Sequence, residues 1–377
     1  MAISAKVDDE WQKFILSGYD QDTSSDDEIN NVLNEQSQEI ISSNLSLNLD
    51  APKASEIYIS TKTKIAYLTI PIDLKNIFWE IPIIYYAKAQ NGVIKKQMKF
   101  NSLTQEELDI IQLKLKKETY FEEYVITHID NPAGRIKFKD TRKISIGVSK
   151  KDIMSYRCKK KSAFYNCFVL ILRLKIDQTY KEFHVKVFNT GKLEIPGVQS
   201  ETTFQLILKN VLDILQPYIE EPIGYKDNST ETVLINSNFN CGFYINRESL
   251  FDILKFKYNI QCIYDPCSYP GIQCKFYYNP DIGIQNGCQI SEENKNLYKN
   301  ISQVSFMIFR TGSVLIVGRC DEHVLFLIYE FLKNILNEEF KYICQQNLKN
   351  NVDTELAKNK KKKLRKKNIT IEINPDL

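Results

Sequence analysis

Three histidines are all that 377 residues provide. His128, His184 and His323 stand far apart, with no nucleophile or acid partner evident beside them, so imidazole-based acid–base chemistry is not read from this chain. Nine cysteines are present, yet none forms the paired Cys-x-x-Cys of a zinc ribbon or finger. Cys262, Cys267, Cys274 and Cys288 are therefore read as buried thiols rather than metal ligands. A phosphate-cradling glycine loop, a dinucleotide glycine fingerprint and a zinc-deaminase signature are all missing. Long apolar runs are missing too: Phe164–Leu172 and Val324–Leu332 fall well short of the roughly 20 residues that span a bilayer. Met1–Glu10 turns acidic where a secretory leader needs an apolar core. The expectation is a soluble, non-enzymatic protein of a reducing compartment, with free thiols, no cofactor, no metal and no membrane partner.

Charge is nearly balanced overall, at +3, but each end lacks one sign. Residues 1–52 are acidic, opposed only by Lys6 and Lys13, and read as a disordered arm with one apolar cluster at Trp11, Phe14, Ile15 and Leu16. At the other end, 343–377 reads as a basic tail, with Lys358, Lys360, Lys361, Lys362, Lys363, Arg365, Lys366 and Lys367. That block suits either a solvated tail or one that holds a phosphate backbone or serves as a nuclear address.

Between these ends the pattern is strand-rich. Ile57–Ile70 alternates, and Asp73–Trp79 predicts a short helix after Pro71. Ile81–Tyr86 and Val93–Phe100 predict a hairpin around Gln90-Asn91-Gly92. Thr104–Lys117 predicts a helix with Thr104 as N-cap and Glu107 at the capping-box position. Strands are expected over 126–149, with a turn at Asn131-Pro132-Ala133-Gly134. Further strands are expected at Phe168–Leu174, Phe183–Phe188 and Lys192–Ile195, and a helix at Phe204–Leu215. The second half repeats the plan: strand Val233–Phe239, helix Arg247–Phe256, strands Gln273–Tyr278, Val304–Phe309 and Ser313–Val317, and a helix over His323–Leu336.

The repeat is explicit in the residues. Phe188-Asn-Thr-Gly-Lys-Leu-Glu-Ile-Pro-Gly197 and Phe309-Arg-Thr-Gly-Ser-Val-Leu-Ile-Val-Gly318 align at an offset of 309 − 188 = 121. The same offset pairs Leu206, Ile207, Ile214 and Leu215 with Leu327, Ile328, Ile335 and Leu336. Two halves built on one unit follow. Alternation puts Val185, Val187, Leu193, Ile195, Val314 and Ile316 toward the helices. It leaves Lys186, Phe188, Lys192, Glu194, Pro196, Met307, Phe309, Leu315 and Val317 on an open face, which marks a binding surface.

At these residues the chain resembles the TATA-box-binding protein family, through the Phe-x-Thr-Gly turn and its helix, present twice. Tyr264-Asp265-Pro266-Cys267-Ser268-Tyr269-Pro270-Gly271-Ile272 is similar to the family's stirrup, and Ile72-Asp73-Leu74-Lys75 to its first helix. The likeness spans about residues 55–342 and is nearest to the versions of large DNA viruses. It implies an α+β fold: a ten-stranded saddle of two pseudo-symmetric curved antiparallel sheets with helices on the convex face. Repeat 1 would be 53–218, with an insertion at about 90–160, and repeat 2 would be 219–342, with a loop insertion at about 279–300. The implied activity is transcription initiation by binding and bending AT-rich double-stranded promoter DNA through its minor groove. Apolar wedges unstack base steps in this family, which is itself a standard example of such a kink.

Carried over by position, Phe188 and Phe309 are wedges, Tyr269 is the first wedge of repeat 2, and Phe164 (with Phe168 as alternative) that of repeat 1. Leu315, Val317 and Asn236 would meet base edges, with only Thr61 opposite Asn236 in repeat 1. Lys186 shares that face, and phosphates would fall to Lys159, Lys160, Lys161, Arg173, Lys192, Lys275, Arg310 and Arg319. Glu194 and Pro196 depart from the family pattern. Tyr264, Asp265 and Pro266 would hold a transcription factor IIB-like protein, and DNA-directed RNA polymerase would follow. The implied location is a cytoplasmic viral replication site or a nucleus, or packaging in a virion. Two other readings stand beside this one: a scaffold of the transcription machinery that has lost DNA binding, favoured by Glu194 and Pro196, and a base-excision enzyme, whose helix-hairpin-helix unit with catalytic Lys and Asp is not found.

Overall fold

A computed structural model describes residues 51–154, 166–291, 298 and 300–345. Residues 1–50 of the arm, 346–377 of the basic tail, Phe164, Lys159, Lys160 and Lys161 lie outside the described residues. The first half runs β1 (Tyr58–Tyr67), α1 (Leu74–Glu80), β2 (Gly92–Ser102), α2 (Gln105–Leu115), β3 (Phe121–Asp130), β4 (Phe138–Gly147), a short α3 (Lys150–Met154), β5 (Cys167–Ile176), β6 (Thr179–Phe188), β7 (Lys192–Val198) and α4 (Glu201–Leu215). The second runs β8 (Glu231–Asn240), α5 (Arg247–Asp252), β9 (Gln261–Ile263), β10 (Ile272–Tyr278), β11 (Ser302–Ile308), β12 (Ser313–Gly318), α6 (Glu322–Glu338) and a short α7 (Phe340–Ile343).

All twelve strands form one sheet, ordered β3-β4-β2-β5-β6-β7-β1-β8-β12-β11-β10-β9. Reading outward from the central β1–β8 pair, the order on one side mirrors that on the other: β7, β6, β5, β2 against β12, β11, β10, β9. Every neighbouring pair is antiparallel. Ten strands thus make the twofold saddle, and β3 and β4 are appended at one end, so the sheet has two strands more than the resemblance implies.

Matching backbone bonds make the repeat physical. Ile72 N–H donates to Asn189 O at 2.9 Å, and Ile245 N–H to Arg310 O at 2.8 Å. The offsets are 245 − 72 = 173 and 310 − 189 = 121, so the first half carries 173 − 121 = 52 more residues between these points. Each Thr-Gly turn closes with its glycine N–H on the carbonyl of the phenylalanine that opens it, Gly191 to Phe188 and Gly312 to Phe309, both at 3.0 Å. Both glycines have φ near +80°, at +79° and +81°. A Cβ at Gly191 would fall 2.5 Å from the Ile70 carbonyl oxygen, so the position needs glycine for both conformation and space. Asp73 caps α1 and Asn246 caps α5, each through a side-chain oxygen.

Two cores lie on the helix side. One gathers Phe78, Phe168, Val185, Val187, Leu193, Ile195, Phe204 and Ile207, and the other Phe276, Phe306, Ile308, Val314, Ile316, Leu325 and Ile328. Burial of these apolar faces is the main stabilising term, on the order of 25 cal/mol per Å². In the first core Lys96, 1% exposed, donates to the carbonyls of Trp79 (3.2 Å) and Ile81 (2.7 Å), capping the end of α1. Burial pushes its pKa down.

The expected strand at Ile81–Tyr86 does not form. Only Ile84 N–H reaches Val93 O there, at 2.7 Å, because both edges of β2 are already taken by β4 and β5. Thr104 does cap α2 by accepting from Glu107 N–H at 3.3 Å, while the Glu107 carboxylate reaches Leu103 N–H at 2.8 Å, one residue before the capping-box position. The expected Arg247–Phe256 helix is α5 followed by a π-turn at Ile253–Lys257.

Candidate nucleic-acid interface

Residues that alternate with the two cores define the opposite face of the sheet. Its register is fixed by direct cross-strand pairs: Lys186 faces Glu194, Met307 faces Leu315, Ser305 faces Val317, and β8 sets Asn238 against Leu315 and Asn236 against Val317. At the centre, Asn236 lies opposite Thr61, and its amide donates to the Thr61 hydroxyl at 3.1 Å. The two halves of the saddle meet along the β1–β8 ladder, where the Ser60 hydroxyl also donates to the Asn236 carbonyl at 3.0 Å. Asn238, one pleat further along β8, shares this face. Its alternation with Asn236 was the signal for it, and the sequence reading passed over it.

At the outer end of repeat 2, Tyr269 and Phe309 form an aromatic pair with centroids 5.9 Å apart and planes tilted by 59°. Gly271 makes this possible: a Cβ there would lie 3.0 Å from Phe309 and 3.1 Å from Tyr269. Both rings are half-buried. Among the described residues the Tyr269 hydroxyl meets the Met307 sulfur, at 3.5 Å, and burial raises its pKa. In repeat 1, Phe188 is half-buried at the end of β6, opposite Cys167, with the Lys192 ammonium 5.5 Å from its ring centre. Burial pushes the Cys167 thiol to about 11.

Register also bears on the repeat 1 counterpart of Tyr269. Phe168 pairs with Val187 as Ile272 pairs with Ile308, so the offset here is 272 − 168 = 104, and Tyr269 corresponds to Tyr165. Tyr165, like Phe164, lies outside the described residues. Phe168 is fully buried among the helices and is no wedge.

The cations divide. Lys186 is paired with Glu194, Nζ to Oε1 at 2.6 Å, with side-chain exposures of 9% and 12%. It is no free phosphate ligand, and Glu194 is not the bare carboxylate that its sequence position suggests. Arg173 is corrected as well: it is buried and donates to the carbonyls of Gln90 (3.3 Å), Tyr86 (2.5 Å) and Lys88, with its plane over Tyr86 and Tyr180. It ties down the loop before β2. Arg319 is exposed but ion-paired with Glu231. Lys192, Lys275 and Arg310 make no ion pair among the described residues; Arg310 lies 6.0 Å from the Tyr244 ring.

The stirrup is self-organised. Asp265 accepts from Cys267 N–H at 3.1 Å through its carboxylate, which the Ser268 hydroxyl also reaches, and its carbonyl accepts from Tyr269 N–H at 2.9 Å. The Ser268 bond holds the carboxyl below its ordinary pKa. Arg247 stacks 5.4 Å from the Tyr264 ring and donates to Pro270 O, while Asp265 and Pro266 remain exposed.

A mirrored pair of curved antiparallel half-sheets, with helices over one face and aromatic residues at the ends of the other, is the saddle of TATA-box-binding proteins. No family model matches the chain. It is 27% identical over 227 residues to a protein of Acanthamoeba polyphaga mimivirus named "TATA-box-binding protein-like", covering 55% of this chain and 58% of that one. The chain therefore spans little more than half the length of this curated relative. A solved structure of Methanococcus jannaschii TBP aligns at 14% identity over 75% of this chain and 99% of its own, with a TM-score of 0.37. In sequence the chain is thus similar to a TATA-box-binding-protein-like protein, at a divergent level.

Proposed function

We propose that this protein is a transcription initiation factor that binds AT-rich promoter DNA in the minor groove and bends it, and that it then recruits a IIB-like factor and RNA polymerase. The observation that carries the reading is the Tyr269–Gly271–Phe309 aromatic pair at the end of the sheet face opposite the helices, where Leu315 is half-buried and Met307 and Val317 are buried beside it. Two flat rings held at a sheet end suit insertion between base steps; unstacking costs a few kcal/mol per step, offset by the extra protein surface a bent duplex meets. Lys192, Lys275 and Arg310 supply positive charge along the duplex backbone. The pre-formed turn at Asp265 presents Tyr264, Asp265 and Pro266 as the partner surface.

The test is fluorescence energy transfer across an end-labelled AT-rich duplex at several salt concentrations, comparing the wild type with Phe188→Ala/Phe309→Ala. Salt-dependent bending that the double variant abolishes supports the reading. Absence of binding even at low salt would sink it and leave a protein-interaction scaffold, the reading that a charged pair on the repeat 1 face favours.

A further inference from the structure

The offset of 121 that superposes the two Thr-Gly turns carries Lys186 onto Met307 and Glu194 onto Leu315. Both pairs are direct cross-strand neighbours on the face opposite the helices, one on β6 and β7, the other on β11 and β12, and of the four only Leu315 is more than about a tenth exposed. One place in the saddle is therefore apolar in repeat 2 and ionic in repeat 1. We propose that the Lys186–Glu194 pair reads a G·C base pair, through the guanine 2-amino group, in the half of the DNA site under repeat 1. This deepens, and rests on, the minor-groove reading above.

The chemistry runs as follows. In the minor groove an A·T pair offers only acceptors, adenine N3 and thymine O2, whereas a G·C pair adds the guanine N2 donor. A lone carboxylate facing acceptors is repelled. A carboxylate held beside an ammonium presents one acceptor and one donor side by side, the complement of a guanine edge. Glu194 Oε1 accepts from Lys186 Nζ at 2.6 Å, and its Oε2 makes no hydrogen bond among the described residues. The pair lies two residues from the wedge Phe188 on β6, and β7 carries it next to β1, the strand of Thr61. It thus sits within the span a duplex on this face would cover. Desolvating an ion pair costs more than packing two apolar side chains, and repeat 2 shows that Met and Leu fill the same place. A groove-reading role supplies what packing alone does not. In repeat 2, Leu315 and Val317 offer no acceptor, and they fit the donor-free floor of an A·T step.

The experiment uses the full chain and a set of duplexes read by anisotropy and energy transfer. The parent is an all-A·T site. A single G·C is walked through every position, and each is matched by an inosine·C pair, which lacks only the 2-amino group in the minor groove. At positions in one half, guanine should bind roughly 10-fold or more tighter than inosine. In Lys186→Met/Glu194→Leu that ratio should fall to about one while A·T sites still bend. Inosine equal to or tighter than guanine at every position, with binding intact, overturns this inference and leaves minor-groove binding standing. Failure to bind any duplex overturns both. Should the double variant fail to fold, the wild-type guanine–inosine ratio decides alone.

Discussion

Replacing Lys186 by methionine removes the 2.6 Å partner of Glu194 and leaves a carboxylate only 12% exposed. Breaking one side of a buried ion pair costs about 3–5 kcal/mol. This pair lies on a sheet face rather than in a core, so the lower end, about 3 kcal/mol, is expected. Glu194→Leu should also be destabilising, by removing the carboxylate that accepts from the Lys186 ammonium. The double variant Lys186→Met/Glu194→Leu installs the cross-strand pair that Met307 and Leu315 already form at the matching register. Swapping a buried ion pair for well-packed apolar residues is neutral or stabilising by about 1–4 kcal/mol. Its stability should therefore lie near or above the wild type, giving a coupling energy of several kcal/mol in a double-mutant cycle. Urea unfolding followed by circular dichroism reads this directly: with m of about 3 kcal/mol/M, Lys186→Met moves the midpoint down by about 1 M. A single variant costing under about 1 kcal/mol, or a double variant costing the sum of the singles, would refute the reasoning.

Gly271→Ala places a methyl group 3.0 Å from Phe309 and 3.1 Å from Tyr269; bending should fall at least about 10-fold while circular dichroism is unchanged, and unaltered bending would break the wedge assignment. Lys275→Ala and Arg310→Ala should each flatten the log affinity against log salt slope by about 0.9, measured by anisotropy between about 50 and 200 mM salt. Arg173→Ala should leave that slope alone and lower stability instead, since its guanidinium holds carbonyls; a changed slope would return Arg173 to the interface. In the appended hairpin, burial opposes ionisation of Asp140, but hydrogen bonds from Arg142 (2.5 and 2.6 Å) and His128 (2.9 Å) win and hold its pKa down. That stability is complete above the ordinary carboxylate pKa of about 3.9 and is lost as pH falls through the lower folded value. Asp140→Asn should remove it at neutral pH, so hydrogen exchange should show β3 and β4 losing protection while β6 keeps it; equal loss in both would contradict this.

Sequence periodicity located the repeat because the helix-facing positions are uniformly apolar and the Thr-Gly turns tolerate only glycine. Alternation likewise sorted Val185 from Lys186 and Ile316 from Leu315 correctly. It could not foresee the Lys186–Glu194 bond, since pairing between strands depends on register, and eight residues separate the two. Arg173 looked like a phosphate ligand because its carbonyl partners lie 83–87 positions away. Ile81–Tyr86 has strand composition, yet a strand needs a free edge, and β4 had already taken the one on β2. The three-residue β9 was missed because so short a segment carries no period.

The sheet's twofold plan is broken at the Lys186–Glu194 pair and at β3 and β4, and under the proposed groove reading those breaks would set which way round a duplex sits. DNA is itself nearly twofold in its backbone, so a saddle with identical halves would seat in two orientations with equal population. Here one half offers a donor–acceptor pair where the other offers two apolar side chains, and only one end carries β3 and β4. A single well-made base contact is worth about 1–3 kcal/mol, which turns an even mixture into a bias of roughly 5- to 150-fold. Direction of assembly along a promoter would then be written into one cross-strand pair.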